Sequence, residues 1–163
     1  MSSASSAEPA RPSRRFATEI KDSLRQLSNQ LSLLNHQVSA HLELKDVDLD
    51  CLELIGRHGP ISPSALARRA GLHPATMTGI LDRLQKSGWI VRERDPDAAD
   101  RRAVTVRALR DRNAEVYQLY SGMNGAMDEL LADYSDAELK LLADFLQRTT
   151  SAGHTATAAL GDA

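Results

Sequence analysis

The residue types gathered between positions 62 and 102 suit recognition of a polyanion better than bond-making. Ser62 and Ser64 stand at a helix start, where hydroxyls and unpaired amides can meet phosphate. Thr76 offers a hydroxyl that can donate or accept at a base edge and a methyl that can touch a thymine methyl, whereas Ala75 offers apolar contact alone. Thr78 and Arg83 are placed to reach phosphates. Gly79 brings no side chain, so it either lets a partner approach closely or reads nothing. Asp100, Arg101 and Arg102 follow a turn-rich DPDAA and have no evident core duty. Other chemistry finds little support. The five histidines, His36, His41, His58, His73 and His154, do not cluster, and no Cys/His spacing suits zinc. There is no Gly-rich phosphate loop, and scattered Ser, Asp and His do not make a triad. No metal, no cofactor and no enzymatic activity are expected.

These groups need elements to position them, and the local signals supply them. Ser62 before Pro63 starts a helix, because the hydroxyl caps amides and proline has no N–H to lose. Leu66 and Ala70 share its inner face, and Gly71 ends it by taking a positive φ. Pro74, preceded by His73, opens a second helix with Met77, Ile80, Leu81 and Leu84 as the buried stripe. Its other face carries Ala75, Thr76, Thr78, Gly79, Asp82 and Arg83. Gly88 closes it. Residues 89–94 and 104–107 alternate as two strands around the arginine-tipped loop. Helix, turn, helix, strand, loop, strand is the order of a winged helix-turn-helix, which sets one helix in a DNA major groove and a loop in the minor groove beside it. A winged helix that binds protein instead of DNA is the competing expectation.

Charge distribution favours the DNA alternative. The 163-residue chain has a net charge of −2, but residues 57–112 hold twelve Lys/Arg against six Asp/Glu, leaving eight against sixteen elsewhere. A basic centre between acidic arms is an electrostatic footprint for a polyanion, and its coincidence with the winged motif makes double-stranded DNA the expected one. The single Cys51 excludes an internal disulfide and suits a reducing, cytoplasmic setting; a buried inert thiol is expected there, with a thiol switch as the alternative. No apolar run is long enough for a membrane, and no apolar segment follows the N-terminal basic residues as a secretory signal requires.

The flanks show how such a reader is assembled. Residues 1–15 have little to bury and are expected to be a disordered tail. A helix expected over residues 16–42 repeats Ile20, Leu24, Leu27, Leu31, Leu34 and Val38 in a heptad-like stripe that needs a partner surface. A second helix is expected over 47–58, with Leu49, Leu52 and Ile55 inward, and a long one over 109–132. Ser135 to Glu138 forms a capping box that starts a last helix with Leu139, Leu142, Phe145 and Leu146 on its apolar face. The expected organisation is a dimerisation helix over 16–45, a winged domain over 46–108, dimerisation helices over 109–150 and a flexible tail over 151–163. Ile20, Leu24, Leu31, Leu139, Leu142 and Phe145 are the expected homodimer interface. The fold class is mainly α (α+β).

The combination LARRAGL at 66–72, DRL at 82–84, SGWIVRERDP at 87–96 and DRRA at 100–103 resembles the MarR family of bacterial transcription regulators. The resemblance covers roughly residues 18–150, with HGPIS at 58–62 leading in. It departs from the family at His73, where Ser or an Asn-like residue is usual, at Gly79, which is often larger and polar, and at residues 108–112. The resemblance implies a homodimer on a near-palindromic operator, acting as a repressor. It also implies that Arg102 is the minor-groove arginine, steadied by Asp100, with Arg101 on phosphates. Members commonly bind small anionic aromatic effectors. For this chain His36, Ser39, Cys51, Ile55, Arg112 and Val116 are the expected pocket walls, with Arg112 or His36 pairing the anion.

Overall fold

The computed structural model describes residues 14–94 and 103–161. Among them are seven helices and one two-stranded sheet: α1 (Arg14–His41), α2 (Asp46–His58), α3 (Pro63–Ala70), α4 (Pro74–Lys86), β1 (Ile90–Arg94), β2 (Val104–Ala108), α5 (Arg110–Leu119), α6 (Ser121–Leu131) and α7 (Asp136–Gly161). The described residues fall into two units divided after Val116.

The first unit is a winged helix-turn-helix. Leu49, Leu52 and Ile55 of α2, Leu66 of α3, and Met77, Ile80, Leu81 and Leu84 of α4 are all buried in one core with Trp89 and Val106. The expected inward stripes of α2 and α4 are thus the observed ones, whereas in α3 Ala67 is buried beside Leu66 and the expected Ala70 is half-buried. β1 and β2 pair antiparallel with Ile90 opposite Ala108 and Arg94 opposite Val104. Ile61 exchanges two backbone hydrogen bonds with Val106, at 3.0 and 2.8 Å, and covers the other edge of β2. Arg112 lays its guanidinium over the Trp89 ring, 3.7 Å from the centroid, a cation–π contact that seals the indole.

Local chemistry sets the helix ends. The Ser62 hydroxyl accepts from the Ala65 amide at 3.2 Å, and Gly71 takes the left-handed conformation with φ 65°. Gly88 likewise sits at φ 74°, one residue beyond the C-cap Ser87. α1 ends in a turn at Glu43, whose φ of 56° is unusual for a side chain bearing a Cβ.

The heptad-like stripe of α1 has two fates. Val38 is buried in the first unit and Leu34 is half-buried, whereas Ile20, Leu27 and Leu31 are exposed. In the second unit α6 and α7 bury no residue.

Two expected boundaries differ from the structure. The single helix over 109–132 is divided into α5 and α6 at Tyr120. There the Ser121 hydroxyl donates to the Gln118 carbonyl at 2.7 Å, competing for a backbone acceptor, and Gly122 and Gly125 weaken the following turns. The last helix does not end near 150 but continues to Gly161. Its distal part is rich in alanine, the best helix former, which sustains the helix although Thr149, Thr150, Ser151, Thr155 and Thr157 each turn a hydroxyl back onto the carbonyl four residues earlier.

Candidate nucleic-acid interface

The face of α4 opposite its buried stripe carries Ala75, Thr76 and Thr78 in the open, with Gly79 half-buried beside them. Thr78 donates its hydroxyl to the Pro74 carbonyl at 3.1 Å, which leaves its oxygen free only to accept. Thr76 makes no hydrogen bond with its hydroxyl among the described residues. A Cβ added at Gly79 would meet only Arg83 Nη1, at 3.6 Å, so packing does not require a glycine there.

His73 caps α4 in place of the usual hydroxyl or amide: its Nδ1 accepts from the Ala75 amide at 3.2 Å. At the start of α3, Ser62 spends its oxygen on the cap and lies 3.3 Å from the Ser64 hydroxyl, so of the two Ser64 is the more exposed.

Arg83 has a duty the sequence did not suggest. Its Nε and Nη2 donate to the two oxygens of Asp48 in α2, at 2.9 and 2.6 Å. The Asp48 side chain is 3 % exposed and that of Arg83 44 %. The hydrogen bonds to Asp48 push the Arg83 pKa further up. Asp48 is the functional candidate that sequence reasoning missed. The signal was present: an acid at 48 shares the face of Leu52 and Ile55, four and seven residues on, and a carboxylate on a buried stripe needs a cation.

The wing strands are strapped down by arginines. Arg92 of β1 donates from Nη2 to Asp82 at 2.6 Å and from Nη1 to Gln85, both on α4. Arg107 pairs with Glu93 across the hairpin at 2.7 Å. Four of the basic groups in the central segment, Arg83, Arg92, Arg107 and Arg112, are therefore engaged with acids of the chain. Arg57, Arg68, Arg69, Lys86, Arg94 and Arg110 have no ion pair with a described residue. Asp100, Arg101 and Arg102 lie outside the described residues.

The expected effector walls each have partners of their own in the chain. Ile55 and Val116 are core residues, and Arg112 is held between Trp89 and Glu115, the latter at 2.6 Å. His36 Nδ1 lies 3.0 Å from the Asp46 carboxylate, which also accepts from the buried Ser39 hydroxyl. These hydrogen bonds, Ser39 foremost, pull the Asp46 pKa down. Cys51 is buried, and burial, aided by the charges of Asp50 and Asp48, pushes its thiol up to about 11. A thiol so protonated at neutral pH is a poor nucleophile, which argues against the switch. Cys51 borders a shallow groove of about 500 Å³ with Val47, Asp50, Arg57, Arg69 and Leu72; none of the other expected walls lines it. Of the expected dimer residues, Leu24 and Leu139 are half-buried and the other four are exposed. Among the described residues there is no cluster of metal-ligating side chains, and no helix is long and apolar enough to cross a membrane.

Comparison with known proteins agrees with this geometry. Residues 44–104, which run from α2 to the first residue of β2, match the sequence profile of the MarR family. The chain is 29 % identical over 137 residues to an uncharacterized HTH-type transcriptional regulator, YcgE of Bacillus subtilis (strain 168), covering 82 % of this chain and 88 % of that one. It is 29 % identical over 92 residues to the HTH-type transcriptional repressor YetL of the same organism, covering 54 % of each. The crystal structure of MarR superposes with a TM-score of 0.56 at 25 % identity, over 83 % of this chain and 98 % of that one. With its helix-turn-helix, its paired wing strands and these relatives, the chain carries a MarR-family winged helix-turn-helix domain over residues 44–104 and is similar to HTH-type transcription regulators.

Proposed function

We propose that the protein is a homodimeric repressor that reads a near-palindromic operator with α4. The observation that carries this reading is the division of α4 into a fully buried stripe and an open face of Ala75, Thr76 and Thr78. Thr76 is the base reader, Ala75 its apolar neighbour, and Ser62 and Ser64 meet phosphate, which Thr78 joins only by turning its hydroxyl away from the Pro74 carbonyl. His73 starts the reading helix as its cap, and Gly79 lets the duplex come close. Arg102 enters the minor groove with Asp100 steadying it, while Arg101 serves phosphates. Repression is supported by the similarity to YetL. The homodimer is supported by the uncovered apolar residues of α1 and α7, Ile20, Leu31, Leu142 and Phe145 among them.

Selection of bound duplexes from a random pool, followed by titration against salt, tests the reading. We expect half-sites about 10 bp apart and binding that weakens steeply with salt as counterions return to the phosphates. Arg102→Ala should cost about 1–3 kcal/mol in specific binding if it reads the groove. Flat affinity from low to high salt, with no sequence selected, would instead favour a protein-binding module.

Release by a small anionic aromatic effector completes the proposal and is supported by the family resemblance. A screen of aromatic acids should find compounds that raise the melting temperature and weaken operator binding together. Linkage then requires the operator to weaken the ligand by the same factor. Compounds that stabilise the protein yet leave DNA affinity untouched would remove this part of the proposal.

A further inference from the structure

The first turn of α2 is tied to two other helices by two different carboxylates. Asp46 holds Ser39 and His36 of α1, and Asp48 holds Arg83 of α4. The second tie has the stronger geometric content. Both oxygens of a carboxylate that is almost wholly buried accept from one planar guanidinium, at 2.9 and 2.6 Å, across 35 residues of sequence. A two-pronged pair of this kind fixes orientation as well as distance.

Arg92 of β1 holds Asp82 and Gln85 on the outer side of α4, and toward the core the helix buries the apolar side chains Met77, Ile80, Leu81 and Leu84. Apolar burial is non-directional, and a small rotation of the helix about its axis changes its area little. Reading a base edge is far less forgiving, since the groups concerned must sit within about 0.5 Å of their places. A buried ion pair is also weak evidence for stability, because desolvation of the two charges offsets most of their attraction. What it adds here is a directional restraint on the core side of α4.

We propose that Asp48 is a positioning residue for sequence reading, acting through Arg83 to hold α4 at one rotation against α2. This rests on the assignment of α4 as the reading helix. It also gives Arg83 a task distinct from a phosphate contact: losing a phosphate contact weakens every duplex alike, whereas misplacing α4 weakens the cognate duplex selectively.

The experiment compares full-length wild type, Asp48→Asn and the double variant Asp48→Leu/Arg83→Met. Each is titrated with the duplex that the wild type selects from a random pool and with a shuffled duplex of equal length. The readouts are the ratio of the two affinities and the melting temperature. In Asp48→Asn the ratio should fall by about tenfold or more, the size of one lost base contact, with binding to the shuffled duplex kept. The double variant replaces the pair by apolar side chains, so it should regain the melting temperature without regaining the ratio. If both are regained, the pair only stabilises the fold and the proposal is overturned. An unchanged ratio in Asp48→Asn, beside a discriminating wild type, overturns it as well. If the wild type itself prefers no duplex, the reading role of α4 falls and takes this one with it.

Discussion

The winged region and the distal helices are built from similar amounts of apolar sequence and use it in opposite ways. From α2 to β2 nearly every leucine and isoleucine on an inward stripe is buried, and Trp89 is covered on its face by Arg112. In α6 and α7 no residue is buried, and Leu130 and Leu141 are 65 % and 68 % exposed. The N-terminal half of α1 behaves like α7, its C-terminal end like the winged region. The difference teaches where one chain is enough. A three-helix core with a covering hairpin closes on itself, whereas a long amphipathic helix presents a stripe that its own chain leaves open.

That contrast can be broken or sharpened experimentally. The largest effect is expected inside the winged region. Trp89→Ala should destabilise by about 3–5 kcal/mol in urea unfolding, because it removes the largest fully buried side chain and leaves Arg112 without its ring. A loss below about 1 kcal/mol would mean that this core is less self-sufficient than its burial suggests.

The next effect should appear in mass rather than in folding. Leu142→Asp with Phe145→Asp alters residues that are 38 % and 40 % exposed in the single chain. Sedimentation should show the proposed dimer of the wild type giving way to monomer while the winged region keeps its unfolding midpoint. An unchanged dimer would place the interface elsewhere. Ser62→Ala is smaller, about 1 kcal/mol, since one capped amide of α3 is released. Gly79→Ala should move the other way, raising stability by up to about 1 kcal/mol because the site has room for a methyl. If DNA binding nevertheless weakens, Gly79 is there for close approach.

The smallest effect concerns pH. The Ser135 hydroxyl and amide hold the Glu138 carboxylate at 2.7 and 2.8 Å and lower its pKa. A depressed folded pKa contributes stability above the ordinary glutamate range and loses it as pH falls through the folded value. Helicity of α7 should therefore fray on acidification, and Glu138→Gln should remove that dependence. Cys51 has the opposite sign. Its raised pKa favours folding below pH 9 and gives that up between pH 9 and about 11, so thiol labelling near neutral pH should be slow unless the protein unfolds.

Much of this protein was legible in its sequence, for reasons that are local. Proline at the first turn of α3 and α4, Gly71 at a left-handed turn and the inward stripes at helical spacing each depend on a few neighbouring residues. So does the open face of Ala75, Thr76 and Thr78, which follows once the stripe of α4 is known. What tertiary structure decided was pairing across distance. Arg83 reads as a surface cation until Asp48, 35 residues away, takes both of its prongs. That Arg112 lies over the Trp89 ring could not be read from its spacing either. The shared bonding of His36 and Ser39 to Asp46 is likewise a product of how α1 packs on α2. Helix periodicity says which way a side chain faces, but only the packing of helices says what it meets, and a charge spent on a buried partner cannot be told from a free one by its spacing.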